Sequence, residues 1–368
     1  MRPFAMKAAF MPLTLLLATL ACGEPTAPPA PTRIIHADAT SAPLPRGDRL
    51  LGIDVTQAAD EDFDQAFRVA RAAGLQFASL SIAWDDLEPR SGEYTADPNW
   101  LAIANSYYAA EHVPLALTVS PIDTNRVRLP EDLRGRDFND PEVIARFERL
   151  LDYVFTQVLE VDLTVLAIGN EVDATLGADV EAWEQYTEFV NAAAAHARTA
   201  RPGLRVGVKL TMSGLAGETL GAARALNEQT DIILVTYYPL RSDFGVRQPS
   251  VVPGDFATIA SSFPSRPIGF LEVGCPSSER LGSSEALQAE FVRYVFEAWD
   301  AHAGQIELLN FTWLTDAPEA SVDEWSDYYG LRDDRFAAYL SSLGLRQSDG
   351  TAKVALDVLA AEARARGW

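Results

Sequence analysis

Two stretches of this chain run an apolar segment straight into a carboxylic acid. In the first, Val165, Leu166, Ala167 and Ile168 are followed by Gly169, Asn170 and Glu171, with Asp173 two residues on. In the second, Ile268, Gly269, Phe270 and Leu271 lead into Glu272. Short apolar runs of this kind read as strands buried on both faces, and such strands belong to parallel sheets. In a closed parallel barrel, chemistry gathers at the C-terminal ends of the strands. Two carboxyl groups brought together there can divide acid/base and nucleophilic work if their surroundings push their pKa values apart. Taken singly, either Glu has a bland alternative as a charge at a helix N-terminus or a loop ion-pair partner.

The elements that would position them alternate along the chain. Apolar runs at 51–55, 77–84, 113–119, 163–168, 205–210, 232–236, 267–271 and 306–311 are each followed by a helical pattern. Helices are expected at 60–73, 100–111, 180–199, 215–227, 256–263 and 354–366, at 140–160 behind Asp140 and Pro141, and to about 303 behind Ser283 or Ser284. Strands alternating with helices imply parallel pairing through right-handed crossovers. Eight such units suit a (β/α)8 barrel. A doubly wound open sheet is the competing architecture, and neither GxGxxG nor GxxxxGK[ST] follows an early strand to support it.

Reading the strand ends gives a rim rich in aromatics and acids. Strand two runs into Trp84-Asp-Asp-Leu-Glu-Pro-Arg90, strand six into Thr236-Tyr-Tyr-Pro239 and strand eight into Thr312-Trp313. Aromatic faces cover the C–H faces of a sugar, and carboxylates and amides bind its hydroxyls, so the set suits carbohydrate. Trp84 and Trp313 are expected in the pocket. Asp54, Asp85, Asp86, Asp123 and Asp173 are either subsite contacts or loop caps. Tyr238 alone could be a core residue with a satisfied hydroxyl, and strand alternation would turn Tyr237 the other way. Cys275 reads as a small buried residue. His36, His112, His196 and His302 sit at no strand end and lack metal-ligand spacing.

Hydrophobic residues make up 48% of the 368-residue chain and the net charge is −22. A large core is possible, while nucleic acid, which needs a cationic footprint, is disfavoured as a partner. At the start, Arg2 and Lys7 flank an apolar run from Met11 to Ala21 that ends in Thr19-Leu-Ala-Cys22. That run is too short to span a bilayer and looks like a bacterial lipoprotein signal, with the Cys22 thiol as the lipidation site. Ordinary secretion with cleavage near Ala21 is the alternative. Residues 1–22 are thus expected to be the signal, 23–46 a Pro/Ala/Thr-rich tether and 47–368 the barrel. The expectation is an exported monomer, lipid-anchored to a bacterial membrane through Cys22 or else secreted or periplasmic.

From about residue 50 onward the chain resembles the clan A glycoside hydrolases, which are (β/α)8 retaining glycosidases. The likeness is carried by Asn170-Glu171 at strand four, Glu272 at strand seven, Tyr238, Trp313 and the closing turn 344–353. The Gly-Asn-Glu and Tyr-Tyr-Pro pieces are similar to the endo-β-1,4-galactanases, and the segment 84–94 to other clan families, so the clan is assigned and no single family. The resemblance implies that Glu171 is the acid/base and Glu272 the nucleophile. It implies also that Asn170 contacts the sugar 2-hydroxyl, Tyr238 hydrogen-bonds the nucleophile and Trp313 floors the subsite. Carboxyl groups about 5 Å apart would give retention through a covalent glycosyl-enzyme, with no metal or cofactor required. Two features depart from the pattern. Ser79 and Ser81 stand on strand two, where many clan members carry arginine, and neither strand three nor Thr236 on strand six supplies a histidine. The departures keep open a second reading, a glycan-binding surface lipoprotein that does not cleave.

Overall fold

Strands and helices alternate as expected in the computed structural model, which describes residues 42–94 and 98–368. The barrel strands are β1 (Leu50–Ile53), β2 (Ala78–Ala83), β3 (Leu115–Asp123) and β4 (Leu163–Asn170). They continue with β5 in two pieces (Val206–Gly207 and Lys209–Thr211), β6 (Ile233–Tyr237), β7 (Ile268–Val273) and β8 (Ile306–Phe311). One arc runs β1-β8-β7-β6 to the second piece of β5, and the other runs β2-β3-β4 to the first piece. Every pairing along both arcs is parallel. The arcs join through Val208 inside β5. They meet again where Gly52 bridges Phe77 and the Gln76 amide donates to the Leu51 carbonyl at 2.7 Å. A Cβ on Gly52 would lie 2.4 Å from the Asn310 side-chain oxygen and 2.8 Å from the Phe77 ring, so only glycine fits at that seam.

The apolar runs are explained by burial on both faces. Phe77, Ala116, Val165, Ala167, Ile232, Leu234, Leu271 and Leu308 form one cluster, within the ring. Leu166 and Ile168, which alternate with Val165 and Ala167, join the larger cluster shared with the helices. Helix starts follow the sequence signals. Asp140 caps Pro141–Gln157 by accepting from the Glu142 amide at 2.8 Å, and Ser284 caps Glu285–Ala301 through the Leu287 amide at 3.2 Å.

Several boundaries differ from expectation. The helix expected over 215–227 is split into Met212–Ala216 and Leu220–Asn227. It breaks at Gly217, where a Cβ would lie 2.5 Å from the Ser213 carbonyl oxygen. β3 extends to Asp123, and β2 stops at Ala83, where a helical turn (Trp84–Leu87) takes over. After β8 the chain forms two helices outside the expected set, Glu319–Tyr329 and Asp334–Leu340. Val322, Phe336 and Leu340 bury their side chains together there, against Trp313, Trp325, Tyr329 and Tyr339. At the other end, the Leu44 amide donates to Asp300 at 3.1 Å and the Arg46 amide to the Arg366 carbonyl at 2.9 Å. The barrel body therefore takes in the last residues of the expected tether. The expected export signal, Cys22 and residues 23–41 lie outside the described residues.

Candidate active site

The end of β4 is bent by glycine chemistry. Gly169 has φ +90°, and a Cβ on it would meet the Tyr186 hydroxyl at 2.4 Å. That hydroxyl donates to the Ile168 carbonyl at 3.1 Å. Two residues on, Glu171 itself adopts φ 45°, a left-handed conformation that is uncommon for a non-glycine residue and concentrates at functional sites. Asp173 holds this turn against β5, accepting from the Thr211 amide at 2.8 Å and its hydroxyl at 2.5 Å. Asp173 is thus a clamp between strands.

Glu171 and Glu272 face one cavity of about 650 Å³ at the C-terminal ends of the strands, within the size range of small-molecule sites. Their partners differ in kind. Glu171 accepts from the Thr236 hydroxyl at 2.7 Å on one oxygen and from the Thr124 hydroxyl at 2.9 Å on the other. Burial, reinforced by the nearby Glu272, pushes its carboxyl up to about 7, against the pull of the two hydroxyls. Glu272 accepts from the Lys209 ammonium on one oxygen and from the Tyr238 hydroxyl at 2.7 Å on the other. Burial, with the Glu272 charge, raises the Tyr238 phenol well above its usual range, so it remains a donor.

Strand β6 and the residue just after it serve both acids. Thr236 and Tyr238, two residues apart, turn inward to Glu171 and Glu272 respectively. Tyr237 between them turns outward, buried, and donates to Asp255 at 2.8 Å, as strand alternation requires. In register, Thr236 sits opposite Glu272.

The remaining expected residues divide. Asn170 is at the site. Its amide nitrogen donates to Asp123 at 2.8 Å, while its buried side-chain oxygen has no partner among the described residues. Asp123 also accepts from the Tyr328 hydroxyl at 2.7 Å, which in turn accepts from Arg128 at 2.6 Å. Trp313 lines the cavity and stacks on Trp325 with ring centroids 4.9 Å apart. Asp54 lines it too, accepting from the Thr56 amide and hydroxyl at 2.8 and 2.6 Å, and burial raises its carboxyl.

Trp84 is a correction. It is fully buried and does not line the cavity. Its indole N–H donates to Glu88 at 2.8 Å, and its ring packs on Phe147 at 5.0 Å. The helical turn after Ala83 rotates the indole away from the rim into the layer between barrel and helices. Asp85 and Asp86 pair with Arg128 at 2.6 and 2.7 Å. Cys275 is buried, which pushes its thiol up to about 12. None of His112, His196 and His302 reaches the cavity.

Sequence reasoning missed Lys209, Thr124 and the wall formed by Trp325, Tyr329, Phe336 and Tyr339. A lone lysine inside the apolar run 205–210 was the available signal for the first. The wall belongs to the two unexpected helices.

No family model matches this chain, and no curated protein matches it. Solved structures do. The exo-β-1,4-mannosidase Op5Man5 from Opitutaceae bacterium strain TAV5 superimposes with a TM-score of 0.68 at 16% identity, over 89% of this chain and 61% of that one. A GH5_18 protein from Streptomyces cattleya, solved in complex with Manβ1-4GlcNAc, gives 0.68 at 15% identity over 86% of this chain and 80% of that one. A family 39 glycoside hydrolase from the gut symbiont Bacteroides cellulosilyticus WH2 gives 0.60 at 16% identity over 87% and 64%. The fold is that of the (β/α)8 glycoside hydrolases. At these identities the likeness is one of architecture, and this chain spans less than two thirds of the length of the mannosidase.

Proposed function

We propose that this protein is a retaining glycosidase of the clan A type, cleaving β-glycosidic bonds with Glu171 as acid/base and Glu272 as nucleophile. One observation carries the reading: two half-buried carboxyls share a cavity, one held by neutral hydroxyls and the other by an ammonium and a phenol. Such a split in surroundings is how one pair of acids comes to do two jobs. In the first step a Glu272 oxygen attacks the anomeric carbon, the glycosidic C–O bond breaks, and the leaving oxygen takes the Glu171 proton. In the second step Glu171, now a carboxylate, removes a proton from water. The water oxygen attacks the anomeric carbon and releases Glu272. The free Asn170 side-chain oxygen accepts a sugar hydroxyl, and Trp313 backed by Trp325 presents an aromatic face to the ring.

The test is release of reducing ends or monosaccharide from a panel of β-linked glycans, with β-mannosides first because one fold neighbour is an exo-β-1,4-mannosidase and another was solved with Manβ1-4GlcNAc. Glu171→Gln and Glu272→Ala serve as controls. Cleavage by the wild type alone supports the reading. Binding of a glycan without cleavage would favour the non-catalytic alternative, which the serines at 79 and 81 keep in play. We propose also, from the apolar run that ends in Thr19-Leu-Ala-Cys22, that the protein is exported and tethered through lipid on Cys22. Loss of the protein from the membrane fraction in a Cys22→Ser variant is the expected result.

A further inference from the structure

Lys209 is the sole cation among the described residues lining the cavity, where Asp54, Asp123, Glu171 and Glu272 supply four acids. It rises from a strand whose apolar side chains, Val206, Val208 and Leu210, are fully buried. Its own side chain is only 4% exposed and ends on Glu272. A buried ammonium is tolerated only when paired, and here the pairing is with one particular member of a carboxyl pair. Among the described residues no cation bonds Glu171; both its oxygens are met by threonine hydroxyls.

We infer that Lys209 is the positioning residue that assigns the two roles, holding Glu272 as the carboxylate so that the proton of the pair resides on Glu171. This rests on the glycosidase reading above. The groups facing the pair from each side leave Lys209 without a substitute. The β1 end brings Asp54, β3 brings Asp123 and the β4 end brings Glu171, with the Asp173 carboxylate nearby on Thr211. β6 brings Tyr238, and the helices after β8 bring Tyr329 and Tyr339. β2 offers Ser79 and Ser81, and the β8 end offers Thr312, all uncharged. Tyr238 donates one hydrogen bond to Glu272 but carries no charge. Without the ammonium, two neighbouring carboxyls compete for one proton, and repulsion alone does not decide which keeps it.

The experiment compares the full-length wild type with Lys209→Met, Lys209→Arg and Lys209→Cys, the last before and after aminoethylation of its thiol, which restores an ammonium at nearly the original reach. On aryl β-glycosides with good leaving groups, Lys209→Met is expected to lose about 10²–10³-fold in the glycosylation rate. The acid limb of its pH–rate profile is expected to move up by about one unit or more. Lys209→Arg or the aminoethylated Lys209→Cys should bring the limb back. In parallel, carboxyl ¹³C titration in Glu-labelled protein, with the Glu272 resonance identified by its loss in Glu272→Gln, should show Glu272 taking up its proton at higher pH in Lys209→Met. An acid limb and a Glu272 titration that coincide in wild type and Lys209→Met would overturn the inference even if activity fell. If the Met variant does not fold, the Cys pair decides by the same two readouts. A wild type that cleaves no glycoside sinks the glycosidase reading, and the carboxyl titration still decides whether Lys209 assigns the proton.

Discussion

Buried ion pairs occur both inside this barrel and in its outer layer, and they differ in what surrounds them. Arg146 and Glu88, with side chains 2% and 1% exposed, form a sealed pair. Glu88 accepts from the Arg146 guanidinium at 3.0 Å, the Trp84 indole at 2.8 Å and the Gly92 amide at 2.8 Å. Arg146 continues to Asp132 at 2.6 Å. Lys353 and Asp316 are alike: the ammonium also reaches the Ser277 hydroxyl and the Ser342 and Gly344 carbonyls. Lys209–Glu272 has the same ingredients, yet its carboxylate remains 22% exposed and opens on a cavity shared with a second acid. Burial and pairing alone describe a clamp. An unfilled side facing another titratable group is what makes a pair available for chemistry.

The comparison can be broken at several points. The largest effect is expected at the open pair. Glu272→Gln should lower glycoside hydrolysis by about 10⁴-fold or more while leaving the far-ultraviolet circular dichroism unchanged. Next comes the sealed pair. Arg146→Leu strands Glu88 and should cost roughly 3–5 kcal/mol in urea unfolding, with the pH dependence of the remaining activity where it was. A shifted profile would mean the two networks communicate.

A smaller effect separates the acids by stability. Glu171 titrates near 4.5 when exposed and is pushed up to about 7 in the fold. The folded state therefore binds the proton more tightly, and this group's contribution to stability falls as pH rises from about 4.5 through 7. Glu171→Gln removes that penalty. It should be more stable than wild type above pH 7 by roughly 1–3 kcal/mol, with the difference vanishing towards pH 4 in thermal melts. The basic limb of activity should likewise fall near pH 7 in the wild type. The smallest effect is expected at the rim, where Tyr328→Phe deletes the link between Arg128 and Asp123. A free-energy change of about 1 kcal/mol in substrate binding or in stability is expected, read from initial rates and melting curves.

Much of the fold was legible because each barrel strand announces itself as an apolar run bounded by turns. Gly169, Asn170 and Glu171 stood out because polar residues ended such a run abruptly. Trp84 was misplaced for a local reason: the strand was carried one residue too far, and on a pleated strand one residue separates the rim from the helix layer. Lys209 was hidden by its company, since a single charge within Val-Gly-Val-Lys-Leu does not interrupt a strand pattern. What justifies it lies 63 residues away. The helices at 319–340 escaped because their burial is against one another and against Trp313, partners that a linear reading does not bring together. The absent arginine at strand two is matched by small hydroxyls, Ser79 and Ser81, and by an ammonium arriving from β5.

Strand β6 has a consequence for how such a site can change. Thr236 and Tyr238 are separated by one pleat repeat, about 7 Å along the strand, and each holds one of the two acids. One short stretch, the end of β6 and the residue after it, thereby contributes to the offset between the carboxyls. A disturbance that slides β6 against its neighbours would carry both anchors with it. One that flips β6 by a residue would turn Tyr237 inward and withdraw one hydrogen bond from each acid, leaving Glu171 on Thr124 and Glu272 on Lys209. A slip at the end of this five-residue strand would therefore disturb both acids at once, whereas a change at Thr124 or Lys209 would disturb one.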